Sequence, residues 1–178
     1  GPGVDIKDSA QDNEIGKNII AYNGGPSSYF GIRLNGSATL RNTITQNSMF
    51  SNNGNGIQLY NSANGGLAAP VISFADYNIG SGSTVIAGTA APLSTVEVFL
   101  TEAPADSSGY GEGKTYCGSA AADAGGSWSA TLSGLAGGKA TATATLAGNT
   151  SQFAQNMVIN VTAPSVSNIT SSKADGAY

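Results

Sequence analysis

Histidine is absent, there is one cysteine, and only 10% of the 178 residues carry a charge. Each shortage removes a class of function. Without histidine no Ser–His or Cys–His couple can form. The lone Cys117 rules out an internal disulfide, and within the alternating run KTYCGSA it reads as a small buried strand residue. Seven basic against eleven acidic residues leave a net charge of -4, and the basic residues are scattered singly, so no nucleic-acid footprint exists. No apolar run approaches the roughly 18–20 residues of a membrane-spanning helix. No secretory leader is recognisable, so a native start and any export signal are expected to lie outside this sequence. Glycine pairs such as Gly24-Gly25 and Gly65-Gly66 are not followed by a helix, which removes a phosphate loop.

What is plentiful is glycine, serine, threonine, asparagine and alanine. Such a composition favours many turns and short strands, with polarity supplied by amides and hydroxyls. The organising stretch is 42–59, NTITQNSMFSNNGNGIQL, because most of it is already written upstream. Asn13, Ile15, Asn18, Ile20 and Asn23 match Asn42, Ile44, Asn47, Met49 and Asn52. Gly31, Ile32 and Leu34 then match Gly56, Ile57 and Leu59, and Gly3-Val4-Asp5-Ile6 is an earlier copy. A repeat of this length with short strands predicts a stacked solenoid of β coils. Matched apolar residues should form columns inside the coil. Matched asparagines should sit at its corners, where asparagine tolerates left-handed backbone and its amide reaches the next coil about 4.8 Å away. An insertion at 26–30 lengthens one turn, and the first coil reads as the cut edge of a longer stack.

The run NSMFSNNGNGIQLYNSANGGLAAPVI resembles the last coils of right-handed parallel β-helix proteins of the pectate-lyase-like group. That resemblance covers about the first 70 residues and implies a truncated β-helix over 1–69. From Pro70 the pattern changes to plain alternation between turn clusters, at 71–74, 83–88, 95–101, 114–120, 127–132, 140–146 and 152–161. Seven short strands in this span are the count expected of an immunoglobulin-like sandwich. Val96, Val98 and Leu100 alternate with Glu97 and Phe99, and Trp128, the single tryptophan, should anchor the core. The runs VIAGTAAPLSTVEVFL, GGSWSATLSGL and TATATLAGNTSQFA look like a bacterial Ig-like domain, implying an antiparallel sandwich over 70–162. Residues 163–178 read as a linker and the first strand of a following domain. The sandwich is expected to cap the coil stack, whose strand edges would otherwise invite aggregation.

The resemblance to β-helix polysaccharide lyases and glycoside hydrolases requires a search for chemistry. Such enzymes use carboxylates clustered across coils, or calcium-binding acids beside a basic residue. Stacking the repeats puts Asp5, Arg33 and Gln58 in one outward column, which reads either as a sugar-binding stripe or as a solvated ion pair. No further acid falls in line, because Thr43, Thr45 and Gln46 follow. Tyr22, Tyr29, Phe30 and Tyr60 gather around the insertion and could stack on sugar rings or seal the loop. The candidate carbohydrate-binding residues are therefore Tyr29, Tyr60, Arg33 and Gln58, with no catalytic residue and no metal ligand. Asp5, Asp8, Asp12 and Glu14 form a loose acidic group whose spacing fits no calcium loop, so no cofactor is expected and calcium stays an open alternative. Asp106, Glu112 and Asp123 could meet at one end of the sandwich strands, with Asp123 better explained as bonding its own turn.

Together these readings predict an all-β chain: terminal coils of a right-handed parallel β-helix joined to an Ig-like antiparallel β-sandwich. The expected function is a non-catalytic structural or adhesive segment of a large exported bacterial surface protein, extracellular or at the cell surface. The alternative is a carbohydrate-binding or polysaccharide-degrading β-helix whose main site lies in preceding coils. Expected partners are neighbouring domains of the same polypeptide, an extracellular glycan and a second copy of the chain, with no nucleic acid and no membrane span.

Overall fold

The computed structural model describes residues 1–24, 30–103, 105 and 107–163. Its regular structure is all-β, arranged in several sheets. The first seven strands are short: β1 (Val4–Ile6), β2 (Glu14–Gly16), β3 (Ile19–Ala21), β4 (Ile32–Asn35), β5 (Thr43–Thr45), β6 (Ser48–Phe50) and β7 (Ile57–Tyr60). They form three parallel ladders, β1–β4–β7, β2–β5 and β3–β6. The register is that of the repeat: Ile15 lies beside Ile44, Ile20 beside Met49, and Val4, Ile32 and Ile57 share one column. Strands of three or four residues cannot bury a face alone. Their apolar side chains meet across the coil, where Ile6, Ile20, Ile32, Leu34, Ile44 and Met49 are buried together.

The corners hold a correction to the sequence reading. The left-handed backbone positions are not the asparagines but the residues just before them: Asp12, Lys17, Tyr22, Arg41, Gln46 and Ser51, with φ between 51° and 59°. The asparagine holds the corner instead of occupying it. Nδ2 of Asn13, Asn18 and Asn42 each donates back to the carbonyl two residues earlier, on Gln11, Gly16 and Leu40, spanning the left-handed residue. A non-glycine residue in this conformation costs about 1–2 kcal/mol, and the amide clamp offsets that cost locally.

After a 3₁₀ turn at Ala63–Gly66 the chain enters a two-sheet unit. Its strands are β8 (Val71–Asn78), β9 (Ser83–Thr89), β10 (Thr95–Thr101), β11 (Gly113–Ala121), β12 (Ser127–Ser133), β13 (Lys139–Leu146), β14 (Asn149–Thr150), β15 (Met157–Val158) and β16 (Asn160–Thr162). One sheet runs β12–β9–β8–β16, and the other β11–β10–β13–β14 with β15 also on β13. Ile72, Ile86, Val96, Val98, Trp128 and the alanines of β13 fill the space between them. The pairing is antiparallel except at one edge, where β16 runs parallel to β8. Asp123 bonds its own turn as expected, its Oδ1 accepting from the N–H groups of Gly125 and Ser127 at 2.8 and 2.9 Å.

Three expectations need correction here. The strand expected over 152–161 is broken into β15 and β16. Residues 151–154 still track β13, with Ser151 N–H donating to Ala144 and Ala154 N–H to Ala142, before the chain crosses to the other sheet. Cys117 is half-buried, at a register shift of β11 against β10, with its thiol donating to the Thr115 carbonyl. Burial pushes its pKa up, so the thiol form dominates at neutral pH. Most informative is β10, where Glu97 and Phe99 were expected to face outward. They do leave the sandwich core, yet both are buried, at 8% and 3% exposure, because the coil stack covers that face.

Candidate functional site

Of the residues proposed to bind sugar, Arg33, Gln58 and Tyr60 lie on neighbouring positions of β4 and β7. Tyr29 lies outside the described residues. Asp5, Arg33 and Gln58 occupy one column as expected. Arg33 is committed to Asp5, donating from Nε to Oδ1 at 2.9 Å and from Nη2 to Oδ2 at 2.6 Å. Gln58 accepts from Asn55 Nδ2 at 2.9 Å and donates to the Leu59 carbonyl. The tyrosines split into separate edge-to-face pairs, Tyr22 with Phe50 and Tyr60 with Phe30, whose ring centroids are 5.5 and 5.7 Å apart. The early acids disperse as well: Asp5 pairs with Arg33 and Asp12 with Arg41. Among the described residues no group of three or more metal-ligating side chains assembles.

The densest chemistry lies where the second coil meets the sandwich. Between the two coils, each asparagine of the second coil serves the matched one of the first. Asn42 Oδ1 accepts from Nδ2 of Asn13 at 2.8 Å and from its N–H at 3.3 Å. Asn47 Oδ1 accepts from N–H of Asn18 at 2.9 Å and from its Nδ2 at 3.2 Å. Asn52 Oδ1 does the same for Asn23, at 3.1 and 2.9 Å. All three acceptor asparagines are buried. The second coil in turn presents upward N–H groups with no third coil to receive them. Unsatisfied, each would cost about 1–3 kcal/mol.

Side chains beyond the stack receive them. Asn64 Oδ1 accepts from Asn42 N–H at 3.1 Å, and Asn64 Nδ2 returns a bond to the Asn42 carbonyl at 2.7 Å. Thr150 Oγ1 accepts from Ile44 N–H, and Glu97 Oε2 from Gln46 N–H at 3.0 Å. Glu112 Oε2 accepts from Asn52 N–H at 2.9 Å while its Oε1 takes Asn52 Nδ2. Gln152 Oε1 accepts from Leu59 N–H at 3.3 Å, and Asn149 Oδ1 from Arg41 N–H at 2.7 Å. The oxygens of Asn64 and Glu112 occupy the place a third coil's asparagines would take, whereas Glu97 receives the N–H of Gln46, whose first-coil match Lys17 donates to the Thr45 backbone carbonyl.

Packing follows the same substitution. A Cβ on Gly31 would lie 2.6 Å from the Gly56 carbonyl of the next coil, and one on Gly56 would lie 2.7 Å from the Phe153 ring. Phe153 thus fills the site of the next backbone. Phe153 and Phe99 pack edge to face at 5.6 Å and belong to the coil's apolar core although they come from the sandwich. Each buried ring contributes on the order of 1.5–3 kcal/mol to the joint. A hollow of about 200 Å³ remains beside this plug, lined by Asn55, Ile57, Tyr110, Gln152 and Phe153.

Sequence reasoning anticipated a cap but named none of its residues. One signal was available: Glu97 and Phe99 stand on the outer face of an otherwise apolar strand, a carboxylate beside a phenyl ring where solvent-facing hydroxyls would be ordinary. Glu112 gave no signal. Its place in the sequence suggests a meeting with Asp106 and Asp123 at one end of the sandwich. Asp106 lies outside the described residues, Glu112 faces Asn52 of the coil, and Asp123 is spent on its own turn.

No family model matches this sequence, and no curated protein does. Among solved structures, a chain described as "Biofilm associated protein - BSP domain" aligns with 56% of this chain at 27% identity and a TM-score of 0.36. The alignment spans 15% of that protein's length. A superposition this loose carries no argument about fold or function.

Proposed function

We propose that this chain is a non-catalytic structural or adhesive segment of a large exported bacterial surface protein, working outside the cell or at its surface. In this reading residues 1–69 are the closing coils of a right-handed parallel β-helix, residues 70–162 an Ig-like domain, and residues 163–178 the way into a following domain. The observation that carries it is the cap. The coil's apolar core takes in Phe99 and Phe153 of the sandwich, and the coil's upward N–H groups end on sandwich oxygens. A joint of that kind transmits force without a hinge, which is what a shaft or stalk segment needs. Pulling the chain from its ends tests this: coil and sandwich should yield in one event, whereas Phe153→Ala should separate them into two. Two independent events in the unmodified chain would overturn the reading.

A carbohydrate-binding reading is favoured by one observation, the hollow beside the plug. Tyr110 lines it, half exposed, together with the amides of Asn55 and Gln152, over an apolar floor of Ile57 and Phe153. Aromatic faces with neutral amides suit a sugar ring. Retention of the chain on a panel of polysaccharides, with and without calcium, decides between the two readings. Binding lost in Tyr110→Ala supports this hollow, and binding lost in Tyr60→Ala supports the column of Arg33 and Gln58. Release of reducing ends would make the protein an enzyme.

A further inference from the structure

A strand at the edge of a sheet carries backbone groups that only a further neighbour can satisfy. Two edges of the sandwich are met by the coil stack. At β11, Ser48 Oγ donates to the Lys114 carbonyl at 2.6 Å, and at β14 the Thr150 carbonyl accepts from Asn64 Nδ2 at 3.0 Å. The edge strand β16 has only three residues. β12 differs from all of these. It runs for seven residues, Ser127–Ser133, along the edge of the β12–β9–β8–β16 sheet. The usual devices that blunt an edge are missing from it. The run 124–138 holds no charged residue and no proline, and the register of β12 on β9 is free of bulges.

Which groups of β12 are free follows from the ladder. Just outside the strand, the Gly126 carbonyl accepts from the Ala90 N–H at 2.8 Å and the Gly134 N–H donates to the Gly82 carbonyl at 3.2 Å. Both continue the register of β12 on β9. Antiparallel bonding alternates along a strand, so Trp128, Ala130 and Leu132 bond to β9. Ser127, Ser129, Thr131 and Ser133 then turn their N–H and C=O groups outward. Ser127 is already held by its own turn, its N–H donating to Asp123 Oδ1 at 2.9 Å and its carbonyl accepting from the Asp123 N–H at 2.8 Å. Among the described residues nothing bonds to the outward groups of Ser129, Thr131 and Ser133, and all three residues are exposed. Their side chains lie on the solvent face, while Trp128, Ala130 and Leu132 pack into the sandwich core.

We propose that β12 pairs antiparallel with β12 of a second copy of this chain, Thr131 opposite Thr131, joining two sandwich sheets into one. The occupant and the register both follow from the strand itself. A two-fold axis at Thr131 sets Ser129 against Ser133 and uses every free N–H and C=O. An axis at Ala130 or Ser129 would bring Ser133 or Thr131 against Ser127, whose groups Asp123 already holds. Side chains match in the same register. Hydroxyl meets hydroxyl on one face, at Ser129–Ser133 and Thr131–Thr131, and Ala130 meets Leu132 on the other. No like charges are brought together, because the strand has none. The same patch serves both copies, so the contact is isologous and closes at two. This pairing goes beyond the surface-protein reading and is independent of where the protein works.

Sedimentation of the full-length chain over rising concentration is the test. The unmodified chain should pass from monomer to dimer and no further. Thr131→Pro removes the central outward N–H and leaves the bonds to β9 in place, so it should fold and weaken the dimer about tenfold or more. Thr131→Lys and Thr131→Glu should each weaken it too, by setting like charges against each other across the axis. An equimolar mixture of those two should dimerise again, because Lys then faces Glu. Thermal melts of each variant report whether it folds, and if the proline variant does not, the charge pair decides alone. A chain that stays monomeric at every concentration would overturn the proposal. So would a dimer indifferent to all three substitutions, which would put the contact on another surface. Dissociation by both charges without recovery on mixing would refute the pairing of Thr131 with itself, and assembly beyond the dimer would refute the closed two-fold contact.

Discussion

Glu112 receives both polar hydrogens that Asn52 turns away from the first coil, the backbone N–H on Oε2 and the side-chain amide on Oε1. This is the pair of donors that Asn52 Oδ1 itself receives from Asn23. A carboxylate on the sandwich thus stands in for an asparagine of a third coil. It has two acceptors where an amide has one. Glu112→Gln keeps one bond and turns an NH₂ toward a donor, which should destabilise the protein by about 1–3 kcal/mol in urea unfolding. Glu112→Ala should cost more. A loss within 0.5 kcal/mol for either would show that Glu112 is not needed to close the stack.

Asn47 tests the interior ladder without touching the cap. It accepts from Asn18 and donates from Nδ2 to the Ile15 carbonyl at 2.6 Å, and it is buried. Asn47→Leu preserves volume but leaves the Asn18 N–H without its acceptor and the Ile15 carbonyl without its donor. We expect a loss of about 2–4 kcal/mol and a lowered Tm. Asn47→Asp retains the acceptor, but the carboxylate faces the Ile15 carbonyl, so it too should melt below the parent.

Gly31 tests the close approach of the coils. A methyl group there would stand 2.6 Å from the Gly56 carbonyl and 3.2 Å from Asn52 Nδ2. The carbonyl belongs to backbone and cannot swing aside, so Gly31→Ala should cost about 1–3 kcal/mol by forcing the coils apart. At Gly65 nothing lies within 4 Å but φ is +66°, so Gly65→Ala should cost less, from backbone strain alone. Reversed order in paired thermal melts would refute this account.

The Asp5–Arg33 pair gives a pH signature. The hydrogen bond from Arg33 is the main influence and holds the Asp5 carboxyl below its ordinary value of 3.8, against a smaller opposing effect of burial. A folded-state value below the unfolded one means the carboxylate form is favoured by folding. Its contribution is therefore complete above about pH 4 and fades as pH falls through the folded value. The side chains are about a third exposed, so screening limits the pair to about 0.2–1 kcal/mol. Asp5→Asn should lower stability by that amount at pH 7 and match the parent near pH 2. A difference that persisted at low pH would mean that the pair acts through packing instead.

The coil register was legible in the sequence, residue against residue: Ile15 with Ile44, Asn18 with Asn47, Val4 with Ile32. A repeat in a solenoid puts equal residues at equal heights, so alignment of the chain with itself is already a contact map. The sandwich core was legible for a similar reason, since a period of two assigns Val96 and Val98 to one face without reference to anything distant. Left-handed corners at Lys17 and Gln46 were not legible, because those residues have no intrinsic preference for that backbone. At Lys17 the neighbouring asparagine's clamp holds the corner, and at Gln46 the N–H is held by Glu97 of the cap.

What tertiary structure alone decided is the joint. Alternation told that Glu97 and Phe99 leave the sandwich core, but not that a second surface waits there. Glu112 is separated from Asn52 by 60 residues, and nothing in either local sequence names the other. Periodicity encodes contacts between equivalents within a repeat. A cap is by nature the place where the repeat stops, so its residues match the last coil in hydrogen-bonding geometry and not in sequence.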